Sequence, residues 1–129
     1  MNKDYKRQLN NIIIIYLISI ILWVGSVIYR EINMHDINLL RYNIIYKCNG
    51  WCVGHFIHYL ILGYLAPDYL LILIFFGFIF ELIEIPLNNL SPYIDSKIIQ
   101  DTFVNTCGLI CGYFLFKIAP KKINLSKFL

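Results

Sequence analysis

The sequence predicts an all-α, polytopic membrane protein: a single domain over residues 1–129, built as a bundle of four transmembrane helices. Three observations predict it. Hydrophobic residues make up 59% of the chain and charged residues only 15%, less charge than a soluble domain carries. Mean hydropathy is +0.64. The apolar residues also fall into runs near the ~20 residues that cross a bilayer, separated by short stretches rich in Pro, Asn and Asp.

Helix 1 is expected over about Asn11–Tyr29, with the unbroken run Ile12–Ile15 and with Trp23 and Tyr29 toward an interface. The run is too long for a signal-peptide core and lacks a small-residue cleavage site, so it reads as a retained span. In the polar stretch that follows, Arg30–Lys47, the part Ile37–Tyr46 reads as an amphipathic segment along the interface. Helix 2 is expected over about Cys48–Leu65, stopped by Ala66-Pro67-Asp68, because proline disfavours helix in the residue before it. Helix 3 runs over about Asp68–Ile85, and Pro86, lacking a backbone N–H, is expected to break it. The polar loop Leu87–Ser96 leads to helix 4, about Lys97–Ile118, which Pro120 closes before a basic tail.

The net charge of +3 is too small to imply nucleic acid, and the basic residues flank the spans as membrane anchors. With four spans the two termini share a side. That side holds seven Lys and Arg (Lys3, Lys6, Arg7, Lys117, Lys121, Lys122, Lys127), against four on the other (Arg30, Arg41, Lys47, Lys97). The bias places both termini in the cytoplasm.

His55, Glu81, Glu84, Asp101 and Asn105 lie within the predicted spans. An ionisable group in hydrocarbon is expensive unless it is paired or functional. Antiparallel neighbours bring the start of helix 2, the end of helix 3 and the start of helix 4 to one membrane face, the lumenal or exterior one. Glu81 and Glu84 share a helix face, as do Asp101 and Asn105. Gly108 and Gly112 continue the second stripe, where small residues admit another helix or a lipid chain. Any one of these groups is explained as a hydrated side chain near the head groups. Their convergence on one face points to a site.

Three carboxylates, an amide oxygen and an imidazole suit a hard divalent cation, Ca²⁺, Mg²⁺ or Mn²⁺, ahead of Zn²⁺. His58, one turn from His55, reads as a hydrogen-bonded structural histidine that can support it. His35, in the polar loop, reads as solvated. The four cysteines form two i,i+4 pairs, Cys48/Cys52 and Cys107/Cys111, a spacing unlike a zinc knuckle, and free thiols are expected.

The stretch Gly54-His55-Phe56-Ile57-His58-Tyr59-Leu60-Ile61-Leu62-Gly63 resembles the H-F-x-x-Y-x-x-L-G pattern of VanZ-like membrane proteins, and Asp101 through Gly112 matches that family's D-x-x-x-N-x-x-G-x-x-x-G. Between them that family has E-x-x-Q. Here the motif is Glu81-Leu82-Ile83-Glu84, within Phe80–Glu84, which resembles the F-E-x-x-E of base-exchange phosphatidylserine synthases. Leu90-Ser91-Pro92 matches the L-P of their next loop with one insertion. The resemblance covers about Gly54–Gly112. It implies a transferase of phospholipid metabolism that swaps a phospholipid head-group alcohol for L-serine with Ca²⁺. His55 would then be the catalytic acid/base, and Glu81, Glu84, Asp101 and Asn105 would hold the metal, supported by His58, Gly108 and Gly112. The synthases are several times longer, so this chain either lacks their full serine pocket or completes it as a homo-oligomer. The alternatives are a non-enzymatic VanZ-like protein, or a structural viral or organellar membrane protein with a vestigial site.

Overall fold

A computed structural model describes residues 3–34, 37, 43–45, 48–89, 91 and 97–128. Expectations for His35, Arg41, Lys47, Leu90 and Pro92 lie outside these residues. The fold is mostly helical. Helix α1 (Lys3–Asn33) is 31 residues long. It starts before the apolar run because Lys3–Asn10 is largely made of good helix formers, with Asp4 in the first turn and Arg30 in the last, each suited to its end of the helix dipole.

After α1, strand β1 (Asn43–Ile45) pairs antiparallel with β2 (Cys48–Asn49). The amphipathic segment expected over Ile37–Tyr46 is therefore, at Asn43–Ile45, one strand of a small antiparallel pair. Successive isoleucines favour extended backbone there.

Helix α2 (Gly50–Leu65) begins at the cap residue Asn49, whose side-chain oxygen accepts the Cys52 N–H at 3.0 Å. Cys48 and Cys52 form a disulfide, with their Cα atoms 5.3 Å apart. This corrects the expectation of free thiols. The i,i+4 argument placed both on one helix, but Cys48 precedes the cap on β2, and the chain turns it back onto the first turn of α2. Cys107 and Cys111 are free, as expected.

A single 3₁₀ turn, Pro67–Tyr69, leads into α3 (Leu70–Asn88). Pro86 does not break this helix, contrary to expectation. It sits within the last turn, and the helix closes at Asn89, whose N–H donates to the Pro86 carbonyl at 3.3 Å. A proline this near the end removes one ladder bond, to the Leu82 carbonyl, and leaves the turns before it intact. Helix α4 (Ile98–Ile118) matches its predicted bounds to within one residue.

The tightest pairing is between α2 and α4, which run side by side in the same direction. A Cβ at Gly108 would lie 2.6 Å from the Phe56 carbonyl oxygen. Cβ atoms at Gly112 and Gly63 would collide with the backbone carbonyls of Leu60 and Leu109. The glycines thus let the two backbones touch, and Gly63 answers the Gly108–Gly112 stripe from the opposite helix. Tyr59, Leu62, Leu65, Leu73 and Leu109 form the core around this seam, with Ile15 from α1.

Helix α3 packs on α4. Helix α1 lies antiparallel along α2: Arg30 stacks over Trp51, Ser19 meets His58, and Gln8 holds Asp68 at the far end. The C-terminal segment folds back on α1, where the buried Asn11 side chain bonds both the Ile123 carbonyl and the Leu125 N–H at 2.9 Å.

The bundle's outside is apolar. Leu71 is 80% exposed and Phe103 70%, as expected of a lipid-facing surface. Among the described residues three stretches are long and apolar enough to cross a membrane: α1, Pro67–Leu87 and α4. The expected fourth span is short. Helix α2 has 16 residues, about 24 Å at 1.5 Å per residue, against a ~30 Å hydrocarbon layer. Asn49 starts it late and Pro67 stops it early.

Candidate functional site

Three of the sequence-predicted residues form one hydrogen-bonded chain. Glu81 on α3 is fully buried, and its Oε1 accepts from the Asn105 side-chain amide at 2.8 Å. Asn105 on α4 is 2% exposed, and its Oδ1 lies 3.0 Å from His55 Nδ1 on α2. His55 Nδ1 is also 3.7 Å from Glu81 Oε1. The geometry is self-consistent in one way. Asn105 donates its amide to the carboxylate, so its carbonyl accepts the imidazole Nδ1–H. That leaves His55 Nε2 as the basic nitrogen. The remaining Glu81 oxygen, Oε2, is buried and has no hydrogen-bond partner among the described residues, an unusual state for a buried polar atom.

The other two predicted residues lie beside this chain. Glu84 and Asp101 are both buried, at 5% and 8% exposure, and line a crevice of about 40 Å³ together with His55. Asp101 also serves its helix: its Oδ2 accepts the Lys97 N–H at 3.2 Å, satisfying an otherwise orphaned donor at the start of α4. Asn105 spends both of its side-chain groups on protein partners, so in this structure it orients His55 and Glu81. Gly108 and Gly112 support the site by bringing α4 against α2. Glu81, Asn105 and His55 can converge only because those backbones approach so closely.

His58 points elsewhere. Its Nδ1 is 2.9 Å from Ser19 Oγ on α1, and its ring meets Tyr16 and Tyr59 edge-on. It is the hydrogen-bonded structural histidine of the expectation and makes no bond to His55 among those described.

Arg30 is the crevice residue that sequence reasoning missed. It is 2% exposed, stacks over the Trp51 ring at 4.9 Å and lines the same crevice as His55, Glu84 and Asp101. Its Nε donates to the Ser26 carbonyl at 3.1 Å. Lys97 lines the crevice too. Counting charge alone reads both as flanking anchors. The missed signal was topological: the end of helix 1 comes to the same face as the five polar residues. The crevice thus contains cations, carboxylates and a histidine, a set suited to a phosphate ester.

A larger groove of about 370 Å³ adjoins it and is lined mainly by apolar side chains of α1, α2 and α3. His55, Glu84, Trp23 and Trp51 line both spaces. Among the described residues no three His, Cys, Asp or Glu side chains already stand close enough to share a metal ion. Comparison with known proteins finds no family model, no curated protein and no solved structure that matches this chain.

Proposed function

We propose that this protein is a membrane-embedded transferase acting on phospholipid head groups, of the phosphatidylserine synthase-like kind, with His55 as its acid/base. The observation that carries the reading is the junction of a polar crevice and an apolar groove through His55 and Glu84. An amphiphile with an anionic head fits such a junction.

In this scheme Arg30 and Lys97 face the phosphodiester charge. His55 Nε2 takes the hydroxyl proton of an entering alcohol, such as L-serine, as its oxygen bonds to phosphorus. The same nitrogen returns the proton to the departing head-group oxygen as its bond to phosphorus breaks. Asn105 and Glu81 are positioning residues that fix the tautomer and stabilise the imidazolium between the two transfers.

Ca²⁺, with Mg²⁺ or Mn²⁺ as alternatives, is the cofactor we propose. The carboxylates of Glu84 and Asp101 in the crevice, with Glu81 beside it, would have to draw closer together than they stand in this structure to hold it. When bound, the ion would offset phosphate charge. Ca²⁺ is expected to raise the thermal midpoint of the purified protein. Glu84→Gln should reduce that shift more than Asp68→Asn, since Asp68 is held by Gln8 at the far end of the bundle. Equal effects, or no shift in the wild type, would remove the ion.

The same reading places α2 inside the bilayer as a fourth, shorter crossing sheltered by the others, both termini in the cytoplasm, and the site at the exterior or lumenal face. The Lys/Arg asymmetry supports this, and a Cys48–Cys52 disulfide at the site end suits an oxidising compartment. A cysteine introduced at Asn89 should label from that side only. Self-association into a homo-oligomer would enlarge the alcohol pocket. Lipid analysis after expression in a host without phosphatidylserine tests the function: phosphatidylserine should appear with the wild type and not with His55→Ala. An unchanged lipid profile would favour the non-enzymatic or structural alternatives.

A further inference from the structure

The geometry points to a second binding site, an acyl-chain site in the groove between α1, α2 and α3. Its occupant is one fatty-acyl chain of a glycerophospholipid whose phosphate lies in the neighbouring crevice. The identity of that polar end rests on the head-group reading above.

The groove, at about 370 Å³, is within the roughly 300–1,000 Å³ of small-molecule sites. The crevice, at about 40 Å³, has room for roughly three water-sized groups, enough for a phosphate and too little for a chain. The two are continuous through Trp23, Trp51, His55 and Glu84. Indole rings favour the level where head groups meet hydrocarbon, so both tryptophans mark where a lipid would change from polar to apolar. Ser26 lies one turn from Arg30 toward the groove, and Ser19 about three turns from it, beside His58. A chain running from the crevice along α1 would therefore pass Trp23 and Ile20 before reaching the Ser19–His58 pair. That pair and Tyr16 line the groove farthest from the crevice along α1 and put polar atoms there, which would limit how much chain the site accepts. Helix α1 meets α3 edge-on through Trp23 and Phe80, their ring centres 6.1 Å apart. Much of the rest of α1 is exposed, so a lipid can enter from the side.

Gly54 supplies the test. It lines the groove, and a Cβ built there meets nothing within 4 Å. Gly54→Leu should therefore enter the groove with no clash at its first side-chain atom. Gly25 on α1 is equally open and does not line the groove, so Gly25→Leu is the matched control. The probe is phosphatidylcholine carrying a photoreactive diazirine in one acyl chain, in vesicles with the purified full chain. Crosslinks should concentrate on Tyr16, Ile20 and Phe80, above the outward-facing Ile21 and Ile32. Gly54→Leu should lower groove labelling by about tenfold or more, and Gly25→Leu should leave it unchanged. If Gly54→Leu fails to fold, Ile20→Trp fills the same groove from α1. Labelling spread evenly over exposed positions, or unaffected by groove filling, would overturn the site. Groove labelling without head-group exchange would keep the site and remove the reaction. Exchange without groove labelling would do the reverse.

Discussion

Replacing Gly112 with leucine is expected to separate α2 from α4 and to give the largest stability loss of any single substitution in the bundle. Even the first atom of a side chain would overlap the Leu60 carbonyl and crowd the Tyr64 N–H. These are helix backbone atoms and cannot rotate away as a side chain could. Overpacking of this kind costs about 1–3 kcal/mol and sometimes more, so Gly112→Ala should already lower the thermal midpoint in detergent. Gly108→Ala should follow it, since its Cβ would meet the Phe56 carbonyl oxygen at 2.6 Å. Gly25→Ala is the contrast. Nothing lies within 4 Å of a Cβ there, and alanine in an unobstructed helix gains roughly 0.5–1 kcal/mol over glycine. If Gly112→Ala and Gly25→Ala melted together, the close α2–α4 contact would be wrong. The consequence reaches the site. Asn105 is one turn before Gly108, so pushing the helices apart should also break the Asn105–His55 bond.

His55→Ala is expected to reduce head-group exchange by roughly 10²–10⁴-fold, the usual contribution of a positioned acid/base. The protein should remain folded, because His55 is part-exposed and the core lies deeper along the α2–α4 seam. Added imidazole should restore part of the activity, which it would not do for a purely structural loss. Asn105→Ala acts differently. It removes the group that orients His55 and takes from the buried Glu81 the amide donor it is bonded to. Loss of a partner that orients a functional histidine typically costs roughly 10–100-fold, and orphaning a buried carboxylate adds about 1–3 kcal/mol or more of destabilisation. The expected signature is therefore partial activity with a lower melting point, against near-complete loss of activity with little change in melting for His55→Ala. His58→Ala should keep most of the exchange, since its partner is Ser19. Equal losses for His55→Ala and His58→Ala would show that the acid/base assignment is wrong.

Much of this arrangement was legible in the sequence. The cost of burying Glu81, Asp101 and Asn105 in an apolar chain marked them, and helical spacing put Asp101, Asn105, Gly108 and Gly112 on one face, all of them buried in the structure. Antiparallel connectivity brought the start of α2, the end of α3 and the start of α4 together. What periodicity does not encode was missed. The Cys48–Cys52 bridge depends on a turn before α2 that has no hydrophobic repeat. Arg30 was read by its charge, as an anchor, although burial against Trp51 is a tertiary fact. Pro86 was read by its usual effect, which one missing donor in a final turn does not produce. The exact bonding of Asn105 follows from how close the glycines let α4 come, a distance that spacing alone does not set.

The most direct measurement is head-group exchange by the purified chain in vesicles of phosphatidylcholine and phosphatidylethanolamine, with labelled L-serine and Ca²⁺. Label should enter phospholipid with the wild type, disappear on chelation of Ca²⁺ and fall to background in His55→Ala. Wild-type vesicles that incorporate neither serine, ethanolamine nor choline would contradict the enzyme reading, and the Glu81–Asn105–His55 chain would then stand as a structural feature of the bundle.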